Sequence, residues 1–380
     1  MRITIVIAGL GGGGAERIAI NLANAWANGS YKPTILTISQ HSRPPAYAID
    51  ADVERHDIGW ARGAREDELS PAVTEPILRG LHASGCNELL TDVMLLALLR
   101  YAILATAPQV VISVIDQTNV RVLAALAETS VPVIVFEVTD ARRVLLRGLQ
   151  RARDILYRQA AAVVAPDPVI AKWFAARGAR AIAIHNPLIP PVTPIPSMPH
   201  SRRRVITLSR LSAEKRPELL IRSFASIADR YPNCDLEIYG IGPQRNTLEH
   251  MAEDLAPPGR IKLCGFATDP YTVLAGADIF VSTSWVEGFG NAIWEALACG
   301  VPVIAMEAGP SVSRIVRHGI DGLIVNHNAA GGLATALERL LNDEAERKSF
   351  AARAPEVVNR FSMQAALRQW DELLARFRTR

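Results

Sequence analysis

The sequence predicts an α/β protein with two doubly wound parallel sheets. Two observations carry this prediction. Short β-like apolar runs alternate with helical stretches along the chain, and a proline-crowded segment, residues 186–199, divides this alternation into two halves. Because proline neither donates in a sheet nor continues a helix, we interpret this segment as a connector. A chain of 380 residues allows each half to bury a core of its own.

The first half, residues 1–190, is predicted to form a Rossmann-like domain. Its β-like runs cover residues 2–8, 33–39, 110–115, 131–137 and 163–165. The second half, residues 200–360, is predicted to form another such domain. Its β-like runs cover residues 204–208, 235–239, 261–264, 279–282, 303–306 and 322–325. Residues 363–377 then carry apolar side chains at helical spacing and are predicted to form a terminal helix.

Composition favours a soluble enzyme. Hydrophobic residues make up 49% of the chain, which excludes a disordered protein, and a net charge of +3 gives no argument for nucleic-acid binding. The four cysteines lack the spacing of a zinc or redox motif, so we expect a reducing cytoplasm. Residues 1–8 are interpreted as a strand and not as a secretion signal. The most apolar segment, residues 89–106, contains Asp92 and Arg100 and is not expected to span a membrane.

Residues 287–295 form the most informative motif. Glu287 precedes Gly288 and Gly290, and Asn291 is predicted to cap a helix that contains Glu295. A helix N-terminus attracts anions, whereas a carboxylate in the loop is suited to accept hydrogen bonds from sugar hydroxyls. The pattern therefore predicts a sugar-phosphate site. Glutamates that merely complement a helix dipole would give the same spacing, and that alternative stays open.

Two cations follow the first strand of the second domain. Arg210 and Lys215 are expected at the carboxyl edge of the sheet, where open parallel sheets bind ligands, and their charges suit a diphosphate. The alternative is a solvated turn at residues 214–216 that opens the next helix.

A glycine turn follows the second strand of the same domain. Gly240 and Gly242 allow the backbone to approach a nucleotide closely, and Pro243 is suited to open a helix. Arg245, in the first turn of that helix, is interpreted either as a phosphate or ribose contact or as a solvent-facing side chain.

Together these motifs resemble the retaining glycosyltransferases of family four. The stretch from Glu287 to Glu295 is similar to the family's paired-glutamate motif, and residues 209–216, 238–243, 263–266 and 277–282 resemble its other signature segments in order and spacing. The similarity covers roughly residues 1 to 370 and is most specific from 205 to 325. It implies the GT-B fold, in which two Rossmann-like domains face each other across a cleft. It also implies that the terminal helix, about residues 363–380, packs back on the first domain.

The resemblance implies roles for individual residues. Glu287 would orient the donor sugar and Glu295 the nucleotide ribose, while Arg210 and Lys215 would hold the diphosphate as it departs. The implied donor site also contains Gly240, Gly242, Arg245, Phe266, Gly288, Phe289, Gly290 and Asn291. In this family the loop after Gly265 contacts the nucleotide base through backbone groups, which leaves UDP and GDP sugars both open as donors.

The first strand is followed by Gly9 and by glycines at 11–14. These glycines satisfy a dinucleotide-binding pattern, so an NAD-dependent oxidoreductase is the rival class. That class requires an acidic residue about twenty residues further on. No Asp or Glu occurs between Glu16 and Asp50. Gly13 and Gly14 instead resemble the family's glycine-rich turn near the donor diphosphate.

Glu137 ends a predicted strand in the first domain, which the resemblance makes the acceptor-binding domain. Many relatives have a histidine at the matching position. We interpret Glu137 as a group that takes the proton of the acceptor hydroxyl, with simple substrate binding or a strand-end charge as the alternatives. In retaining transfer without a protein nucleophile, the leaving phosphate is an alternative proton acceptor.

Asp50 and Asp52 match the metal-binding carboxylate pair of a different glycosyltransferase architecture. They lie amid Ile49, Val53 and Ile58 in a predicted short peripheral strand, with no cluster of other ligands nearby, so we interpret them as solvated acids. The enzyme is therefore expected to be independent of metal and to need no cofactor besides its nucleotide-sugar substrate.

A basic amphipathic helix is predicted after residue 140. Arg142, Arg143, Arg147 and Arg151 lie among leucines at helical spacing. Such a helix suits an anionic bilayer or a lipid-diphosphate acceptor, although a surface helix with solvated arginines shows the same pattern. We therefore expect a cytoplasmic protein on the inner face of the membrane.

The sequence thus predicts a hexosyltransferase of bacterial surface polysaccharide biosynthesis, such as that of lipopolysaccharide or exopolysaccharide. The expected donor is a UDP sugar, and the expected acceptor is a lipid-linked saccharide or an oligosaccharide. A GDP-mannose donor stays open. So does a non-catalytic subunit that binds sugar nucleotides within a glycosyltransferase assembly.

Overall fold

The chain divides into two compact units. A computed structural model describes residues 1–39, 44–59, 71–141, 147–191, 201–329 and 331–378, with the backbone alone at 147. Unit 1 consists of Met1–Leu188 together with Met363–Arg380, and unit 2 of Ile189–Ser362. The terminal helix therefore belongs to the same unit as the first half of the chain.

Unit 1 is built on a parallel sheet of seven strands in the order β3-β2-β1-β4-β5-β6-β7. The strands are β1 (Arg2–Ile7), β2 (Lys32–Thr37), β3 (Glu54–Asp57), β4 (Val110–Val114), β5 (Val133–Phe136), β6 (Ala162–Ala165) and β7 (Ala181–Ala183). β4, β5 and β6 are buried along their whole length, as expected for central strands covered on both faces.

Seven α-helices of unit 1 lie among the described residues. They are α1 (Gly14–Ala27), α2 (Pro71–Ser84), α3 (Val93–Ala105), α4 (Asp116–Ala125), α5 (Arg147–Leu156), α6 (Pro168–Ala175) and the terminal α15 (Met363–Ala375). Helix α15 buries Trp370, whose ring packs edge-on against Trp26 of α1 and Phe136 of β5, with centroids 5.7 and 5.1 Å away. These aromatic contacts tie the end of the chain to the unit 1 core.

Unit 2 has a parallel sheet of six strands in the order β10-β9-β8-β11-β12-β13. The strands are β8 (Arg203–Leu208), β9 (Cys234–Tyr239), β10 (Ile261–Gly265), β11 (Ile279–Ser282), β12 (Val303–Met306) and β13 (Gly322–Val325). This order reverses between β8 and β11, because the chain first winds outward to β10 and then returns to the other side of β8. Open parallel sheets bind ligands at the carboxyl edge beside such a switch point.

The helices of unit 2 follow its strands in turn. They are α7 (Pro217–Ala225), α8 (Arg245–Leu255), α9 (Pro270–Ala275), α10 (Asn291–Ala298), α11 (Pro310–Ile315), α12 (Gly332–Asn342), α13 (Glu344–Arg353) and α14 (Val357–Arg360). Proline opens three of them at the first turn, where its missing N–H is not needed. Asp269 also caps α9, because its carboxylate accepts from Tyr271 N at 3.0 Å.

The sequence missed β7 and indicated β3 only as a short peripheral strand among residues 49–58. All four residues of β3 are exposed and polar, and β7 has only three residues, so neither strand carries the apolar run by which the others were found. The predicted connector also begins too early. Residues 186–188 are buried within unit 1, and Pro187 O accepts a hydrogen bond from Asn21 Nδ2 at 3.0 Å.

Candidate functional site

The loops after β8 and β11 meet at the carboxyl edge of the unit 2 sheet. These strands are parallel neighbours, so both loops leave the sheet at the same edge. The first loop contains a 3-10 turn at Ala213–Lys215, and the second covers residues 283–290, directly before α10. Sheet topology therefore brings together the two charged motifs of the second half of the chain.

Lys215 and Glu287 form an ion pair at this edge. Lys215 Nζ lies 2.6 Å from Glu287 Oε1, and Ser284 Oγ donates to the same oxygen at 2.6 Å. Each charged side chain is 17% exposed. Thr283 Oγ1 donates to the backbone oxygen of Lys215 at 2.8 Å, which ties the two loops together. A partly buried charge pair with supporting hydrogen bonds holds both groups in place without a ligand.

This pair lies in a pocket lined by small and polar groups of unit 2. The lining residues are Thr207, Leu208, Ser209, Lys215, Ser282, Thr283, Ser284, Glu287, Gly290, Ala292 and Ile293. Hydroxyl, ammonium and carboxylate groups together offer donors and acceptors to a ligand that carries both hydroxyls and negative charge.

Arg210 occupies a different position from Lys215. Its side chain is 62% exposed and is not among the groups that line this pocket, and its guanidinium pairs with Glu214. The sequence predicted that Arg210 and Lys215 share one role, but only Lys215 lines the pocket. The carboxylate of Glu214, four residues later, attracts the Arg210 guanidinium instead.

The loop before α10 is fixed by the segment after β12. Glu287 N donates to Ala308 O at 2.8 Å, and the buried hydroxyl of Ser311 donates to Gly288 O. These bonds satisfy the backbone of a loop that has no strand partner of its own. They position Glu287 from the side opposite to Lys215's turn.

The other residues of the 287–295 motif lie in the turn before α10 or within that helix. Helix α10 begins at Asn291, and Gly290 precedes it with φ 94°, so the prediction that Asn291 caps the helix is wrong. Only glycine takes this left-handed turn at no steric cost. Phe289, assigned to the donor site, is 2% exposed and packs against Phe361, with ring centroids 5.6 Å apart. Glu295 is buried within α10.

The turn after β9 explains why Gly240 and Gly242 are glycines. A Cβ at Gly240 would lie 1.8 Å from Ser209 O, and one at Gly242 would lie 2.3 Å from Leu211 O. Leu211 N also donates to Ile241 O at 2.9 Å. The backbone at both glycines therefore lies close to the loop after β8, which lines part of the pocket. This contact explains both glycines without a ligand.

Two further predicted donor residues lie toward the β10 side of the sheet. Arg245 pairs with Glu249 at 2.7 Å and donates to Leu263 O at 3.2 Å, so its side chain is held by its own helix and by β10. Phe266 follows Gly265 at the end of β10 and is partly exposed. Neither residue lines the pocket that contains Lys215.

In unit 1, the glycine-rich turn leads directly into α1. Gly13 is the N-cap residue with extended backbone, and Gly14 is the first helical residue. Gly12 has φ 98°, and its carbonyl oxygen accepts from Tyr47 OH at 2.8 Å. A Cβ at Gly13 would lie 2.2 Å from Glu16 Oε2, so the carboxylate of the first helical turn folds back over this glycine.

Glu137 lies at the end of β5 and is fully buried in unit 1. Thr139 Oγ1 donates to its Oε1 at 2.6 Å, and Tyr157 OH donates to its Oε2 at 2.9 Å. Burial raises the pKa of the Glu137 carboxyl, and the charge of Asp116 raises it further. Both oxygens thus have partners in the protein. Glu137 is placed as a structural group of the core, which disagrees with its assignment as a catalytic base.

Sequence reasoning missed the residues around Glu137. Asn119 Nδ2 donates to Tyr157 OH at 3.0 Å and so continues the hydrogen-bond chain. Asp116 is 3% exposed, and its Oδ2 has no partner among the described groups. It follows Ile115, a β-branched residue with φ 75°. The sequence signal that could have identified Asp116 is an acidic residue close after the apolar run of β4.

The predicted basic helix is only partly described. Arg142 and Arg143 lie outside the described residues, as does the side chain of Arg147. In α5 (Arg147–Leu156), Arg151 is exposed, as predicted. Arg153 is 1% exposed and lies over the rings of Trp173 and Phe174, at 5.3 and 5.8 Å from their centroids. The helix therefore turns one of its arginines inward against α6.

Asp50 and Asp52 belong to one tight turn before β3. Asp52 N donates to Asp50 Oδ1 at 3.0 Å, which is the local bonding typical of an acid in a turn. Within the described ranges, no group of three or more His, Cys, Asp or Glu side chains is arranged to hold a metal ion. Within those ranges there is also no helix that is both long and apolar enough to span a membrane.

Residues 194–357 match the family model described as glycosyl transferases group 1. The chain is 32% identical over 172 residues to an exopolysaccharide phosphotransferase of Streptomyces coelicolor, a match that covers 45% of this chain and 18% of that protein. It is 34% identical over 173 residues to the lipopolysaccharide core biosynthesis glycosyltransferase LpsE of Rhizobium meliloti, which covers 45% of this chain and 49% of LpsE. The chain thus spans half or less of the length of these two curated relatives.

Solved structures match over the whole chain. TarM of S. aureus, in complex with fondaparinux, α-GlcNAc-glycerol and UDP, superposes with a TM-score of 0.79 at 14% identity, covering 100% of both chains. HepE of Anabaena, in complex with UDP-glucose, superposes with a TM-score of 0.75 at 20% identity, covering 99% of both chains. At these identities the likeness concerns the fold, which confirms the prediction of GT-B architecture. Residues 194–357 are thus similar to the glycosyl transferases of group 1, in a chain with the GT-B fold.

Proposed function

We propose that this chain is a retaining, metal-independent hexosyltransferase that uses a UDP sugar as donor. The observation that carries the proposal is the Lys215–Glu287 pair in the pocket of unit 2. Lys215 Nζ supplies positive charge to the departing diphosphate. Glu287 accepts hydrogen bonds from hydroxyls of the transferred sugar.

The reaction proposed here needs no covalent bond to the protein. The acceptor oxygen forms a bond to the anomeric carbon on the face from which the diphosphate leaves, and the bond from that carbon to the phosphate oxygen breaks. The acceptor's proton passes to the leaving phosphate. Lys215 and the backbone amides of the first turn of α10 stabilise the growing negative charge, which is the role that a metal ion fills in other phosphate-releasing enzymes.

Donor and acceptor are proposed from chemistry and from relatives. The complexes of TarM with UDP and of HepE with UDP-glucose support a UDP sugar. The names of the Streptomyces and Rhizobium relatives support a product in bacterial exopolysaccharide or lipopolysaccharide synthesis. We propose a lipid-linked saccharide or an oligosaccharide as acceptor. The exposed Arg151 on α5 supports a position on the inner membrane surface.

The test combines binding with turnover. Thermal shifts with UDP-, GDP- and ADP-sugars should show stabilisation by a UDP sugar, because a ligand that binds only the folded state raises its apparent stability. With membrane lipid extract as acceptor, the protein should release UDP in the presence of EDTA, and NMR of the product should show the donor's anomeric configuration. Lys215→Ala and Glu287→Ala should abolish release and leave the circular dichroism spectrum unchanged. Near-native release by both variants would overturn the proposal.

The main alternative is a subunit that binds sugar nucleotides without catalysis. Such a subunit would show the thermal shift but release no UDP with any lipid extract. A GDP sugar that shifts the melting temperature more than UDP sugars do would instead redirect the donor to GDP-mannose chemistry.

A further inference from the structure

Trp285 presents a large apolar surface at the carboxyl edge of the unit 2 sheet. It lies between Ser284 and Glu287 on the loop after β11, and its side chain is 56% exposed. Its backbone N–H donates to Glu214 O at 2.8 Å, so the loop after β8 holds it in place. A large indole surface exposed beside a charged pocket is typical of a binding site.

Two further side chains surround the indole. The Arg216 guanidinium carbon lies 5.3 Å from the ring centroid of Trp285, and the His327 ring centroid lies 4.5 Å away with its plane tilted by 44°. Arg216 Nη1 donates to His327 Nδ1 at 3.3 Å. Loops after three different strands, β8, β11 and β13, thus contribute to one cluster.

The backbone of this cluster is strained. Arg216 has φ 50° and ψ 46°, a left-handed conformation that non-glycine residues seldom adopt. Strain of this kind persists where the surrounding structure enforces it, which is common at binding sites. The strained residue directly follows Lys215, and its own guanidinium lies over Trp285.

The chemistry of the cluster suits a sugar ring. The C–H face of a pyranose packs on an aromatic face, while a guanidinium group at the ring's edge hydrogen-bonds to hydroxyls. Burial and the neighbouring Arg216 charge lower the pKa of His327, so its imidazole is neutral at neutral pH. Because Nδ1 accepts from Arg216, the neutral imidazole holds the guanidinium in place beside the indole.

Sheet order separates this cluster from the region expected to hold the nucleotide. β11, β12 and β13 lie on one side of β8, whereas β9 and β10, with the glycine turn and Phe266, lie on the other. Trp285 and His327 follow β11 and β13. Trp285 and His327 therefore belong to loops on the same side of β8 as Glu287, and not to the loops after β9 and β10.

We propose that Trp285, Arg216 and His327 form a subsite for a pyranose ring of the saccharide substrates. This inference rests on the proposed function and adds a stacking surface to it. The same chemistry fits the hexose of the donor and a sugar of the acceptor, and the two sources are separated by experiment.

The test uses Trp285→Ala and Trp285→Phe, with Ile320→Ala as a control at another exposed apolar side chain of unit 2. Dissociation constants are measured for UDP, for UDP-glucose, and for maltose, lactose and cellobiose. Trp285→Ala should weaken binding of UDP-glucose or of a disaccharide about tenfold, and UDP itself less than twofold. Trp285→Phe should retain most of the affinity, and Ile320→Ala all of it.

A loss for UDP-glucose identifies the donor hexose, and a loss for a disaccharide identifies an acceptor sugar. An equal loss for UDP would show that the indole stacks on the base, and unchanged affinity for every sugar would show that it binds none; either result overturns the subsite. In both of those cases wild-type binding of UDP-glucose would still support the proposed function. Absence of that binding in the wild type would count against both.

Discussion

Lys215 and Glu287 are 72 positions apart in the sequence, and their charged groups lie 2.6 Å apart in the unit 2 pocket. Each neutralises the other in a setting that is largely shielded from water. Removal of one partner leaves the other charge partly buried and without its counter-ion, which is more costly than removal of both.

This relationship predicts strongly non-additive kinetics. Lys215→Met and Glu287→Gln should each lower kcat/KM for UDP release by about a hundredfold or more, as for the loss of a preorganised group at a developing charge. The double variant should be no slower than the slower single variant, because the two residues act as a unit. Steady-state rates of all three variants test this.

The matched control is the exposed pair Lys348–Glu344, whose charged atoms are 2.8 Å apart on α13. Its double alanine variant should keep wild-type turnover. Single effects of Lys215→Met and Glu287→Gln that multiply in the double variant would show that the two residues act independently.

The turn after β9 gives a second prediction. Gly242→Ala should weaken UDP binding at least tenfold, because the added Cβ would lie 2.3 Å from Leu211 O and must displace the loop that leads to Lys215. Isothermal titration with UDP measures the loss. Gly29→Ala, where the new Cβ meets its nearest atom at 3.5 Å, should bind UDP as the wild type does. Unchanged affinity in Gly242→Ala would mean that the two loops move independently.

Glu137 gives a prediction about pH. Burial and Asp116 raise the pKa of its carboxyl above the ordinary value of 4.5. The folded protein therefore holds this proton more tightly than the unfolded chain does. The stabilising contribution is complete below pH 4.5 and is lost as the pH rises through the raised pKa.

Urea unfolding between pH 4 and 8 checks the sign. The stability of the wild type relative to Glu137→Gln should fall as the pH rises, because the variant has no carboxyl to ionise at this position. Glu372→Gln, at an exposed position of α15, is the control. A difference that grows with pH would contradict the assigned direction.

Trp370 predicts how strongly the terminal helix stabilises unit 1. Trp370→Ala should lower the free energy of unfolding by about 3–5 kcal/mol, because it removes a fully buried ring that packs on Trp26 and Phe136. Gln369→Ala, the exposed neighbour on the same helix, should change stability by less than about 0.5 kcal/mol. Equal effects of the two substitutions would mean that the helix contributes little to the core.

The sequence predicted strands well where a run of apolar residues is buried without interruption. In unit 2, β11 and β12 are buried along their whole length, and β8 is buried at its centre. A parallel sheet places the ends of such strands at one edge, so the sequence alone predicts that Lys215 and Glu287 belong to one site. The exposed strand β3 lacks this signal. Its position depends on pairing with β2, which no local pattern encodes.

Side-chain environments were harder to predict, because they depend on which helix packs where. The aromatic rings of α6 decide that Arg153 faces inward, and Phe361 decides that Phe289 is buried. Likewise, the core around Tyr157 encloses Glu137, whose position at a strand end predicted a reactive group. In each case a contact distant in sequence overrode the local pattern.

The division of unit 1 between the two ends of the chain has a consequence for biosynthesis. Unit 2 is one continuous segment and is complete when its last residue leaves the ribosome, whereas unit 1 must wait for Trp370 to cover Trp26 and Phe136. At about 5–20 residues per second, that wait is on the order of ten to fifty seconds. During this interval the nascent first sheet carries an uncovered aromatic surface, which makes it a natural client of ribosome-associated chaperones. A chain cut short before α15 would keep that surface permanently.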